Sequence, residues 1–199
     1  MQFSEQGTNL IYAVIGGLVI GTVLAFVPVD GTPLTYFLLQ YNEAVSAGWF
    51  WQLVTSIIIA PPTFQGIEDV VFNAIALAYL DGILSFTYSK RQYYAVFLIT
   101  GIAGNIFSLA NGPNVFSFGA SGGIFGLLAG VISFDLVTNR RVNPSLMLWF
   151  ALIFVVSSFV SSSLIASPVD WIAHAGGALV GLALGYVIGV RRGVDPATM

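Results

Sequence analysis

The sequence predicts an all-α membrane protein: a compact bundle of six transmembrane helices forming one domain over residues 1–199. Three observations carry this. Of the 199 residues, 57% are hydrophobic and 8% charged, whereas a soluble domain carries about a quarter charged residues. Six apolar runs are each long enough to cross a bilayer, which takes about twenty residues. All six basic residues lie after alternate runs, in three pairs.

The first run, Asn9–Val27, holds Gly16, Gly17 and Gly21 but no ionisable group, and reads as a scaffold helix. It shows neither a clear basic region before it nor a small-residue cleavage pattern, so it is expected to be retained rather than removed as a signal peptide. From Asp30 to Gly66 the chain is too interrupted for a crossing, while Tyr36, Phe37, Phe50 and Trp51 suit the headgroup level. A re-entrant or interfacial segment on the outer side is expected there.

The second run, Ile67–Leu84, contains Asn73, with Asp69 one turn before it and Asp81 near the other end. A primary amide inside the membrane must find a partner or cost free energy. Asn73 therefore reads equally as an interhelical bond or as part of a reactive site. The third run, Tyr93–Leu109, offers Gly101, Gly104, Asn105 and Ser108 for packing and polar adhesion. A turn at Asn111-Gly112-Pro113-Asn114 leads into the fourth run, Ser117–Leu136. The fifth, Leu146–Ala166, has a serine-rich end from Ser157 to Ser163, and the sixth is Pro168–Val190.

Charge sets the orientation. Lys90 and Arg91, Arg140 and Arg141, and Arg191 and Arg192 share one side of a six-span bundle. The opposite loops carry only Asp30, Glu43, Glu68, Asp69 and Asp170. Basic loops stay inside, so a multi-pass protein of the cell membrane with both termini cytoplasmic is expected.

Two stretches carry candidate chemistry. In Phe118–Gly130, Ser121 stands between Gly119-Ala120 and Gly122, and Gly122, Gly126 and Gly130 recur every fourth residue. On a helix these make a smooth stripe that admits a close neighbour. The sixth run bears a matching stripe, Gly177, Gly181, Gly185 and Gly189, and near its head stands His174, the only histidine. From the run boundaries, Asn73, Ser121 and His174 each lie roughly 6 to 9 Å below the outer boundary. A serine within reach of a neutral imidazole is an activated nucleophile, the imidazole taking the proton and returning it to the leaving amine. The Asn73 amide and the backbone N–H of Ser121 at a helix start are candidate donors to the oxyanion. Asp170 lies one turn nearer the surface than His174, so the expected site is a Ser–His dyad and not a triad.

With these residues in place, the sequence resembles the rhomboid family of intramembrane serine proteases. Gly119-Ala120-Ser121-Gly122 matches the family's GxSG motif, and Ala173-His174 with Gly177 and Gly181 matches its AHxxGxxxG motif, on the fourth and sixth of six spans. The resemblance covers about Trp51 to Val190. It implies a rhomboid-like bundle in which Ser121 is the nucleophile, His174 the general base, Asn73 an oxyanion donor and Phe125 the aromatic that packs on the histidine. It also implies a wet cavity opening to the outer face, and transmembrane protein substrates that enter laterally from the lipid bilayer near spans two and five. The serine-rich end of span five would then be a gate, unless its hydroxyls bond back to their own helix. Two positions depart from the family pattern: Asp69 stands where many members have the histidine of HxxxN, and Trp51-Gln52 where they have Trp-Arg.

The alternative is a non-catalytic rhomboid-like protein that binds transmembrane segments for sorting or quality control. A small transporter using the intramembrane polar groups is a third reading. With one histidine and no cysteine, no metal and no cofactor are expected. The glycines keep a packing period and not a phosphate-cradle pattern, and an acidic balance of nine carboxylates against six cations argues against a nucleic-acid partner. Substrate identity and oligomeric state are not legible.

Overall fold

The computed structural model describes residues 3–141, 144, 145, 148 and 169–193. Among them, five helices are long and apolar enough to cross a membrane. They are α1 (Glu5–Ala25), α4 (Phe64–Thr87), α5 (Lys90–Ser108), α6 (Ser121–Thr138) and α7 (Trp171–Gly193). Two short helices, α2 (Asn42–Ser46) and α3 (Gln52–Thr55), lie in the connection between α1 and α4. The fifth apolar run, Leu146–Ala166, falls outside the described residues apart from Leu148, which is helical, as are Pro144 and Ser145.

The helix ends differ from the apolar runs because polar caps, and not hydropathy, set them. Ser4 caps α1 by accepting the Gly7 N–H at 3.0 Å. Thr63 caps α4 through the Gly66 N–H. Ser89 and Gln92 form a reciprocal capping box at the start of α5. Each cap satisfies donors that the first turn leaves open, so these helices begin three or four residues before the runs do. The fourth span differs in the opposite sense and starts at Ser121, not Ser117. Phe116–Ser117 is instead a short strand, β4, antiparallel to β3 (Gln40–Tyr41), and Gly119 has φ +114, which no α-helix admits.

The helices pack through glycine. A Cβ on Gly177, Gly181 or Gly185 of α7 would overlap the carbonyl oxygen of Gly122, Gly126 or Gly130 of α6, in that order. Two backbones thus lie in direct contact over two turns, gaining dispersion contacts that any larger side chain would forfeit. On the other side of α6, Gly123 meets Phe97 of α5 and Gly126 meets Thr100. The centre of the bundle is therefore α6, with every residue from Gly122 to Val131 buried. Helix α1 is peripheral: Gly17 and Gly21 abut the carbonyls of Ile58 and Ala60, while Tyr12, Val19 and Val23 are exposed. At its start the Ser4 N–H and hydroxyl both donate to the Asp81 carboxylate of α4, at 2.6 and 2.5 Å.

The connection from residue 26 to 63 contains no crossing helix. A two-residue hairpin, β1 (Pro28–Val29) with β2 (Thr32–Pro33), is followed by a 3-10 turn, β3, α2 and α3. Its aromatics stack on one another: Phe37 on Trp49 at 5.4 Å and Trp49 on Trp51 at 5.3 Å between ring centres. The buried Gln52 pins this connection, accepting the Tyr41 N–H at 2.9 Å and donating to the Phe37 carbonyl at 3.3 Å. An uncharged amide thus anchors the loop by one donor and one acceptor.

Candidate active site

Ser121 is delivered by a short extended approach. After β4, the Gly119 N–H donates to the Ser56 carbonyl at 2.9 Å. A Cβ on Gly119 would strike the Asp69 carboxylate, at 2.5 to 2.6 Å from its oxygens. Positive φ and this contact both require glycine. Two residues later the chain turns helical at Ser121, the first residue of α6. Its backbone N–H thus lies in the first turn, where helical N–H groups have no intrahelical acceptor and the dipole favours negative charge. The residue is half-buried.

His174 stands in the first turn of α7 and is buried, with 7% of its surface exposed. Its Nε2 lies 2.7 Å from Ser121 Oγ, within hydrogen-bond distance. The glycine register explains the meeting: Ser121 precedes Gly122 and His174 precedes Gly177, so both side chains sit at the same end of the seam. The imidazole stacks on Phe125 at 4.5 Å with the planes 26° apart, and Trp171 meets it edge-on at 5.4 Å. Nδ1 is buried and has no hydrogen-bond partner among the described residues. For Nε2 to accept the serine proton, Nδ1 must carry the imidazole hydrogen.

Asp170 does not serve that nitrogen. Its Oδ1 accepts from the Ala173 N–H at 2.9 Å and from Asn111 Nδ2 at 2.7 Å, and its Oδ2 accepts the Ser108 hydroxyl. It is a cap for α7 tied to the end of α5.

Asn73 is buried in α4, and its side-chain amide interacts with the Asp69 carboxylate one turn earlier on the same helix. Asp69, one turn earlier on the same face, brings that face against Gly119. The structure thus joins Ser121, His174 and Phe125 in direct contact, with Gly122, Gly126, Gly130, Gly177 and Gly181 forming the seam beneath them. Asn73 lies on the face turned to the approach strand and holds no bond to either Ser121 or His174.

Sequence reasoning passed over Trp171, which lies three residues before His174 and hence on the same side of the helix. It also passed over a buried amide network behind the site. Gln40 Nε2 donates to Asn42 Oδ1 and to the Asn105 carbonyl, both at 2.8 Å. Asn42 Nδ2 donates to the carbonyls of Ser108 and Gly112, at 2.8 and 2.9 Å. Asn105 Nδ2 donates to the Leu53 carbonyl and to Ser56 Oγ, both at 2.9 Å. The only hint in the sequence was Asn105 and Ser108 spaced along one face of a span.

The five apolar helices among the described residues, with a serine and a histidine in contact at the head of a glycine seam, define a multi-pass helical membrane protein. A model of the rhomboid domain matches residues 47–191, and the chain belongs to the rhomboid family. It is 26% identical over 159 residues to rhomboid protease GluP of Bacillus subtilis, covering 80% of this chain and 30% of that protein. It is 30% identical over 155 residues to RHOMBOID-like protein 5 of Arabidopsis thaliana, covering 75% and 48%. It is also 25% identical over 167 residues to Rhomboid-related protein 2 of Mus musculus, covering 79% and 52%. The chain spans between 30% and 52% of the length of these relatives.

Proposed function

We propose that this protein is an intramembrane serine endopeptidase that hydrolyses peptide bonds in or near transmembrane segments of other membrane proteins. The observation that carries the reading is the 2.7 Å approach of His174 Nε2 to Ser121 Oγ in a buried site. In the first half-reaction Ser121 Oγ attacks the scissile carbonyl carbon while His174 takes its proton. The tetrahedral oxyanion is met by the Ser121 N–H and by the buried amide of Asn73, which in the resting protein interacts with Asp69. The imidazolium then gives its proton to the leaving amine, and the acyl-enzyme forms. Water, activated by the same imidazole, releases the acid product and restores the serine. Stacking on Phe125 and the edge of Trp171 hold the ring in place. The cytoplasmic placement of both termini, and a site opening to the outer face, rest on the three basic pairs.

One observation favours the second reading, a rhomboid-like protein that binds transmembrane segments without cutting them. The Asp69 carboxylate lies against Gly119, two residues from the nucleophile, and a negative charge there opposes an oxyanion. The test is cleavage of a panel of single-span proteins in liposomes by the native chain, Ser121→Ala and His174→Ala. Cleavage by the native chain alone is expected. Binding of those proteins with no cleavage by any of the three would give the second reading the lead.

A further inference from the structure

We infer that Asp170 is a positioning residue for His174, acting through the backbone of α7 and without a hydrogen bond to the imidazole, with Ser108 and Asn111 as its anchors. The inference rests on the Ser121–His174 reading above. In a serine–histidine–aspartate site the acid holds the ring through Nδ1. Here Nδ1 has no partner among the described residues, so ring orientation depends on where the first turn of α7 lies and on the two aromatic rings beside it.

That turn is fixed by one carboxylate. The Ala173 N–H is bonded to Asp170 Oδ1 at 2.9 Å, and the His174 N–H to the Asp170 carbonyl at 3.2 Å. The remaining capacity of the carboxylate goes to the end of α5, through Asn111 Nδ2 at 2.7 Å and the Ser108 hydroxyl. Asp170 thus joins the residue that bears the base to a neighbouring helix, at a point one turn from the imidazole.

The anchors are themselves held by the amide network. The Ser108 side chain is fully buried, and its carbonyl is bonded to Asn42. From Asn42 the network runs through Gln40 to Asn105, and from Asn105 to Ser56. The Ser56 carbonyl takes the Gly119 N–H of the strand that delivers Ser121. Base and nucleophile are therefore referenced to one frame, with Asp170 as its last link to the base.

The experiment compares native chain, Asp170→Ala, Asp170→Asn, Ser108→Ala and the Asp170→Ala/Ser108→Ala pair. It measures the rate of inactivation by a fluorophosphonate, and kcat and KM for a cleaved single-span protein. Displacing the base by a fraction of an ångström lowers Asp170→Ala about 10- to 100-fold in kcat and in inactivation rate, with KM little changed. Asp170→Asn recovers most of that loss: its amide oxygen still accepts from Ala173 and Asn111, and its NH2 donates to Ser108, whose hydroxyl turns from donor to acceptor. The double variant is no slower than Asp170→Ala, because the two residues act as one unit.

Native rates in Asp170→Ala, or Asp170→Asn as slow as Asp170→Ala, would overturn the inference; so would a change confined to KM. If Asp170→Ala does not fold, Ser108→Ala carries the test, with a fall of about threefold or more in inactivation rate expected and a native rate overturning it. A native chain that the probe does not label removes the Ser–His reading itself. A labelled native chain with unchanged Asp170 variants removes the positioning role alone.

Discussion

The two sides of the site are built differently. On one side, α6 and α7 touch backbone to backbone along Gly122/Gly177, Gly126/Gly181 and Gly130/Gly185, and the serine and histidine at the head of that seam are in contact. On the other, α4 brings the buried Asn73 amide, which interacts with Asp69 on the same helix, and Asp69 itself against the approach strand, and its first half exposes Phe64, Ile67 and Val71. Ser121 and His174 are held by close packing that leaves no room for adjustment, while the α4 side carries a buried amide tied only to a carboxylate on its own helix. In the proposed reaction, the acceptor such an amide would turn to is the tetrahedral oxyanion.

The contrast separates rate from stability. Asn73→Ala is expected to lower kcat about 100- to 1,000-fold with little change in folding stability, as loss of one oxyanion donor does. Kinetics and denaturation measured on the same preparation check it, and a large loss of stability with unchanged kcat would show Asn73 to be a packing amide. The smaller effect lies on the seam. Gly181→Leu sets a side chain against the Gly126 carbonyl and is expected to cost about 1 to 3 kcal/mol of stability, read by reversible denaturation in mixed micelles. If it leaves stability unchanged, the seam is looser than its geometry indicates, and the two sides of the site do not differ in the way described.

What the sequence made legible follows from period and rarity. Glycines every fourth residue on two spans announce a close helix pair, and a lone histidine and a flanked serine at the heads of those spans announce where the pair matters. The helix ends were less legible because Ser4, Thr63 and Ser89 are polar caps lying outside the apolar runs they extend. The start of α6 was missed for a different reason. The run is drawn from Ser117 because the apolar Phe118 follows it, but Ser117 pairs with Gln40, more than seventy residues away in the chain. The frame behind the site was least legible. Gln40, Asn42, Asn105, Ser108 and Asp170 follow no period, and only the fold brings them together.

Labelling of the detergent-solubilised chain by a fluorophosphonate probe, set beside Ser121→Ala and His174→Ala, tests whether Ser121 and His174 form a working nucleophile and base. Labelling of the native chain and of neither variant is expected, with labelling lost at acid pH as His174 takes a proton and can no longer accept the one on Ser121. A folded native chain that stays unlabelled would contradict the account. The 2.7 Å contact would then be a structural hydrogen bond, and Asp69 beside Gly119 would point to a protein that binds transmembrane segments without cutting them.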